Sequence, residues 1–234
     1  ISHFISNKLK MSIKFNALSR NYEDEASGGD GALRNSTNNM PFDDPYNTDG
    51  SLKIGTETGW TGSKNDNFLH GWQFNFDKSR QESVDVDANL DYYILPNLTF
   101  STYNRASYSN TKRDLYYDVR SKAGGGLGYL TNDFTFTNKL ITSNRLKYDK
   151  ILGLHTLNAI AVIEAEKNYN DQNRMYGTGI APGLHVMDAA ANIQKSGAHS
   201  GYTSENAFSK GLVQVDYSFD NRYFAVGSII RESS

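Results

Sequence analysis

Between residues 8 and 18 the chain alternates without a break. Leu9, Met11, Ile13, Phe15 and Ala17 share one parity, and Lys8, Lys10, Ser12, Lys14 and Asn16 share the other. Such period-two alternation predicts a strand whose two faces meet different surroundings. The pattern returns at 84–94, where Val84, Val86, Ala88, Leu90, Tyr92 and Ile94 oppose Asp85, Asp87, Asn89 and Asp91. It returns again at 155–166, with Leu157, Ala159, Ala161, Ile163 and Ala165 against Asn158, Ile160, Val162, Glu164 and Glu166. Further strands are predicted at 98–108, 140–152, 207–219 and 223–231, giving about seven in all.

Between these strands the turns differ in length. Short ones fall at Pro96-Asn97, 150–153 and 220–222; long polar stretches follow residues 18, 108 and 166. The long stretches carry turn chemistry such as "NSTNN", "DDPYNTDGS" and "GWTGSKNDN", with strand segments expected at "HGWQFNF" (70–76) and "DFTFT" (133–137). In an up-and-down meander alternate connections lie at the same end, so every short turn falls at one end and every long loop at the other. Outer-membrane barrels have this asymmetry, with strands near ten residues; soluble sandwiches have no reason to sort loops by length.

The alternation also decides which face is wet. Two rows of charge on an inner face suit no soluble core, whereas a barrel turns its apolar face to lipid and its polar face to a watered lumen. The expected fold is therefore all-β: an antiparallel up-and-down transmembrane β-barrel. About seven strands are too few, and of the wrong parity, for a closed bacterial barrel. Residues 1–234 are expected to be an internal part of a larger barrel domain, of about 22 strands and roughly 730 residues.

Composition is consistent with this and narrows the chemistry. Tyr 15, Phe 12 and Gly 20 against Pro 4 describe aromatic strands and polar turns. The 24 basic and 26 acidic residues nearly cancel, which gives no field for nucleic acid. There is no cysteine, so no disulfide and no thiolate metal site. Mean hydropathy is -0.61, and no apolar run reaches the ~18 residues of a membrane helix, a test that a β-barrel passes unseen. The opening "ISHFISNKLK" has no signal-peptide pattern, as expected of an internal piece or a processed chain.

Three stretches carry a resemblance. "TSNRLKYDKILGLHTLNAIAVIEAEKN" (142–168) is similar to an "N-x-L-x-Y" strand passing through a short turn into "H-x-L-x-A-L-x-G-x-E". "AFSKGLVQVDYSFDNRYFAVGSIIRESS" (207–234) resembles "S-x-x-G-R-x-x-Y-x-Y-x-x-R-Y-x-x-x-x-S-x-R-x-D-G-S-S", and "DPYNTDGS" (44–51) is similar to a "D-x-D-G" loop. These are segments of SusC/RagA-like TonB-dependent outer-membrane transporters. The match covers roughly 83–108 and 140–234. It departs at Val213-Gln214, where Arg is frequent, at Ile163, where Gly is frequent, and at the final "RESS". The resemblance implies active import of oligosaccharides or peptides across a Gram-negative outer membrane, powered through TonB and lidded by a SusD-like surface lipoprotein. The family's plug domain and TonB box are absent from these residues.

Candidate chemistry is sparse. His3, His70, His155, His185 and His199 have no metal-ligand spacing. Asn47, Asp49 and Gly50 with Asp43 and Asp44 lack the spacing of a calcium loop and read as a turn, and the glycine run 123–128 reads as a loop rather than a nucleotide cradle. Glu164 and Glu166 share a face, as paired glycosidase carboxylates would, but read as charges at a wet strand end. The sequons at Asn35 and Asn97 read as chance matches. Neither a catalytic group nor a cofactor is expected. Trp60, Trp72, Tyr176 and Tyr202, in the long-loop regions, are the candidate substrate contacts; aromatics there also serve as girdle or loop packing. Two rivals remain at this point: a soluble carbohydrate-binding β protein, and a small non-transporting barrel or adhesin.

Overall fold

The computed structural model describes residues 2–24, 26, 40–61, 67–193 and 199–234. Among these, nine strands form one antiparallel sheet: β1 (Ser2–Ser6), β2 (Leu9–Asp24), β3 (Phe76–Leu95), β4 (Leu98–Tyr117), β5 (Tyr129–Leu152), β6 (His155–Ile180), β7 (Ala190–Ile193), β8 (Ser200–Phe219) and β9 (Tyr223–Ser233). The lateral order is β1-β2-β3-β4-β5-β6-β8-β9. β7 pairs with β6 at Gly177, Thr178 and Ile180, just above the point where β8 leaves it at Arg174. The sheet is an open wall, with β1 and β9 at its edges.

The expected meander is present, with three differences. There are nine strands rather than about seven, because β1 and β7 are too short to show a period. The strands are far longer than ten residues: β5 has 24 and β6 has 26. The polar stretches after residues 108 and 166 are thus largely strand, and the expected strand segment "DFTFT" lies inside β5, continuous with 140–152. Third, "HGWQFNF" is not a strand extension. Asn67 caps a single helical turn, α1 (Phe68–Trp72), and only Phe76 joins β3. The buried Asn67 side chain also donates to Pro45 O (3.0 Å) and Lys53 O (2.8 Å), folding the β2–β3 connection around itself.

The sorting of connections holds. Short turns join β1 to β2, β3 to β4 (Pro96-Asn97), β5 to β6 and β8 to β9; the longer links 25–75, 118–128 and 181–199 lie at the opposite end. The β5–β6 turn is Gly153-Leu154 rather than 150–153, with Gly153 at φ 59°. Asp220 and Asn221, both at φ 50°, make a mirror-image turn closed by Arg222 N donating to Phe219 O at 3.0 Å. Neighbouring hairpins are joined at this end too. Tyr93 N donates to Lys8 O (2.8 Å), Asp149 N to Asn97 O (2.9 Å) and Asp220 N to Leu154 O (2.8 Å).

Register fixes the two faces. Leu9, Tyr92, Phe100, Leu146, Ala161, Val213 and Ile229 form one lateral row, and Phe15, Val86, Ala106 and Leu140 another on the same face. This face is uncovered: Phe15 is 65% exposed, Ile163 67% and Val213 53%. A polar line across it bonds to itself, Thr142 Oγ1 donating to Asn104 Oδ1 (2.8 Å) and Asn104 Nδ2 to Thr102 Oγ1 (3.1 Å). Within the band the charged residues of β2 to β4, such as Lys14, Asp87 and Arg105, lie on the other face, where Asp77 and Asp87 are buried; above it the outward face also carries charge, Lys167 beside Glu205. Apolar outside and charge inside is the inverse of a soluble core. Full transfer of each such apolar side chain into hydrocarbon is worth about 1.5–3 kcal/mol.

Aromatic rows bracket the apolar band. Tyr92 and Phe100 lie near the short turns, and Tyr108, Phe136 and Tyr169 near the far side, with ring centroids 5.1 and 6.0 Å apart along the latter row. From Leu98 to Tyr108 the strand matches the ~9–11 residues that cross a bilayer at a tilt. Beyond it, β3 to β6 continue as strands with polar residues on both faces. There a small core of Tyr116, Leu130 and Ile180, joined by Phe76, Met187 and Ala190, closes the far end.

Candidate functional site

The polar face is bonded across strands throughout. Near the short turns, Arg105 forks Asp87 (Nε–Oδ1 2.5 Å, Nη2–Oδ2 3.0 Å), and Tyr103 OH donates to the same carboxylate at 3.1 Å. Higher up, Lys139 Nζ sits 2.6 Å from Glu166, whose other partner is Asn168 at 2.7 Å. Glu166 is therefore half of an ion pair.

Above the aromatic row, Ser79, Arg113, Asp133, Arg174 and Ser200 form one lateral row from β3 to β8. Arg113 forks Asp77 through Nε (2.7 Å) and Nη2, with Nη1 at 3.8 Å from Asp133. Arg174 forks Asp133 through Nε (2.5 Å) and Nη2 (2.9 Å). The result is a ladder of alternating sign: Asp77, Arg113, Asp133, Arg174. Hydrogen bonding to Asp77 raises the Arg113 pKa and hydrogen bonding to Asp133 raises that of Arg174, so both guanidiniums are held charged.

The ladder floors a hollow of about 350 Å³ that Tyr22, Arg113, Asp133, Gln172, Arg174 and Tyr202 help to line. Its volume is at the low end of the ~300–1,000 Å³ range of small-molecule sites. Beside it on the same face runs an aromatic column, Tyr117 to Tyr129 (4.7 Å) to Tyr176 (5.5 Å). Burial, then the neighbouring Tyr117 and Tyr176, pushes the Tyr129 hydroxyl up to about 12.

The four aromatic candidates separate. Tyr202, on β8 opposite Gln172, lines the hollow. Tyr176 stands in the adjoining column, and its N–H donates to His199 Nδ1 at 3.1 Å. Trp72 ends α1 with its ring edge-on to Phe68 at 5.1 Å, and Trp60 lies in the same β2–β3 connection. Neither tryptophan lines the hollow. Sequence reading passed over Tyr22, Arg113, Gln172 and Arg174, which fall in stretches read as loop, and Asp133, which opens the expected strand segment "DFTFT"; only the hairpin register brings them into one patch.

The other candidates are structural. Asp43 accepts from Thr61 N and Oγ1 (3.0 and 2.8 Å), and Asp49 from Ser51 N and Oγ (3.0 and 2.7 Å), so these acids cap turns. Among the described residues no three His, Asp or Glu gather as metal ligands. The sequon at Asn35 lies outside the described residues, and Asn97 sits in a short turn. The glycine run packs a turn: Gly124 lies against Asp118 O.

No protein-family model and no curated protein matches this sequence. Solved structures do match its fold. A chain of the RagAB peptide transporter superposes with a TM-score of 0.82 at 14% identity, over 99% of this chain and 26% of that one. The RagAB peptide importer in its open-open state gives 0.81 at 14% identity, and in its closed-closed state 0.78 at 15%. This chain thus shares the fold of part of those chains, and it spans 26% of the length of the chain it matches.

Proposed function

We propose that this chain is part of the barrel wall of an outer-membrane importer of the SusC/RagA-like, TonB-dependent kind, carrying oligopeptides or oligosaccharides. The observation that carries the reading is the inverted polarity of the sheet. An uncovered apolar band one bilayer thick, bracketed by aromatic rows, backs a face of paired charges. Patches of that extent on soluble monomers mark membrane or protein contacts, and the fold match to RagAB chains supports the same choice. A soluble carbohydrate-binding protein would leave the band uncovered.

In this reading the polar face lines the transport route, and the extended strand ends with their connections stand outside the membrane. A SusD-like surface lipoprotein would cover that end, and TonB would act through a plug supplied by the remaining length of such a transporter. The chain itself performs no chemistry on the cargo. Fractionation tests this. An antibody against residues 181–193 should detect a detergent-extractable outer-membrane band several times heavier than 26.1 kDa. A soluble band near that mass overturns the reading.

A further inference from the structure

We propose that the hollow on the polar face is a subsite for a carboxylate carried by the cargo, received by Arg174 with Arg113 beside it. The inference rests on the importer reading, which puts this face on the transport route.

The argument is one of charge and of free hydrogen-bonding edges. In the ladder each carboxylate is consumed by one guanidinium: Asp77 by Arg113, Asp133 by Arg174. The next position in the row is Ser200, so the ladder ends on a cation. The four ladder charges cancel; of them Arg113, Asp133 and Arg174 line the hollow, while Asp77, held by Arg113, does not. Arg174 spends Nε and Nη2 on Asp133. Its second edge, through Nη1, has no partner among the described residues, and the side chain is 50% exposed. A guanidinium edge of that kind matches a carboxylate two bonds to two oxygens.

The surroundings suit the rest of such a ligand. Thr111, Thr135 and Gln172 line the hollow and make no side-chain hydrogen bond among the described residues, so they are available to an oligomer's backbone or hydroxyls. Tyr22 and Tyr202 border it from β2 and β8, and both are more than one-third exposed. Their rings offer flat faces to either a peptide or a sugar. The carboxylate could belong to a peptide or to a uronic acid, and the chemistry at Arg174 is the same for both.

The test uses the full-length transporter with its native partners, in detergent. Two probe pairs are measured: a short peptide with a free C-terminal carboxylate against its amide, and a galacturonate oligosaccharide against its methyl ester. The carboxylate form of one pair should bind about tenfold tighter than its neutral twin, as expected of one charge-assisted contact. The pair that discriminates identifies the source. Arg174→Gln should bring the ratio close to one. Gln172→Glu, which keeps the Asp77–Arg113 and Asp133–Arg174 pairs and adds a carboxylate beside them, should lower the ratio as well. If neither pair discriminates, or if the preference survives both substitutions, the subsite is overturned while a chain still found in the outer membrane leaves the importer reading standing. A chain absent from the outer membrane overturns both.

Discussion

Arg113 stands directly across from Asp133 in the strand register, yet it forks Asp77, one row nearer the far end, and leaves both oxygens of Asp133 to Arg174. This diagonal choice staggers the pairs, so four charges span β3 to β6 with no carboxylate left over. Asp133 is the member that both arginines feel. Asp133→Asn should cost roughly 1 kcal/mol of stability, little because both arginine side chains are half in water. Thermal melting of the solubilised barrel measures it, and an unchanged melt would mean that the ladder is not structural.

The apolar band predicts an asymmetry between neighbouring positions. Ile163 faces outward, and Ser143 lies on the opposite face of the adjacent strand. Ile163→Arg should cost about 2–4 kcal/mol in the membrane and reduce outer-membrane accumulation, whereas Ser143→Arg should leave it near the original level. Equal loss from both substitutions would contradict the assignment of faces.

Gly124 tests the far end. A Cβ there would lie 1.9 Å from Asp118 O and 2.7 Å from its carbonyl carbon. Backbone cannot yield as a side chain tip can, so Gly124→Ala should open the 118–128 connection while the hairpin register below persists. Hydrogen exchange would read this as faster exchange at Ser121 and Gly124, with β4 and β5 still protected.

The same connection should respond to acid. Arg120, through Nε and Nη2, holds the Asp118 carboxyl down to about 2, aided by Arg120 N–H and Tyr116 OH against the opposing effect of burial. A folded pKa below the ordinary 3.8 means that the stabilisation is fully present above pH 3.8 and is lost as the pH falls through about 2. Protection of residues 118–128 should therefore decline across that window. Asp118→Asn should lower it already at neutral pH and remove the acid dependence.

The legibility of this molecule follows the water. Within the band one face is apolar and the other largely polar, so residues 84–94 and 155–166 alternate and their facing could be read. Above the band both faces are wet, and the contrast that period-two reading needs is lost. "NTKRDLYY" and "NYNDQNRMYG" therefore read as loop although they are strand. The hollow was hidden for the same reason. Tyr202 was found as an aromatic in a polar stretch, but Tyr22, Asp133 and Arg174 are ordinary residues until β2, β5 and β6 are set in register.

The bonds between short turns carry a mechanical consequence. Because Lys8 O, Asn97 O and Leu154 O each accept from the neighbouring hairpin, that rim behaves as a continuous hem rather than as separate loops. A hairpin that slipped by one residue would break its own ladder and also the stitch to its neighbour, and every side chain on it would change face. Lateral strain is thereby shared along the hem, and the open end, where connections are long, is left as the compliant edge of the wall.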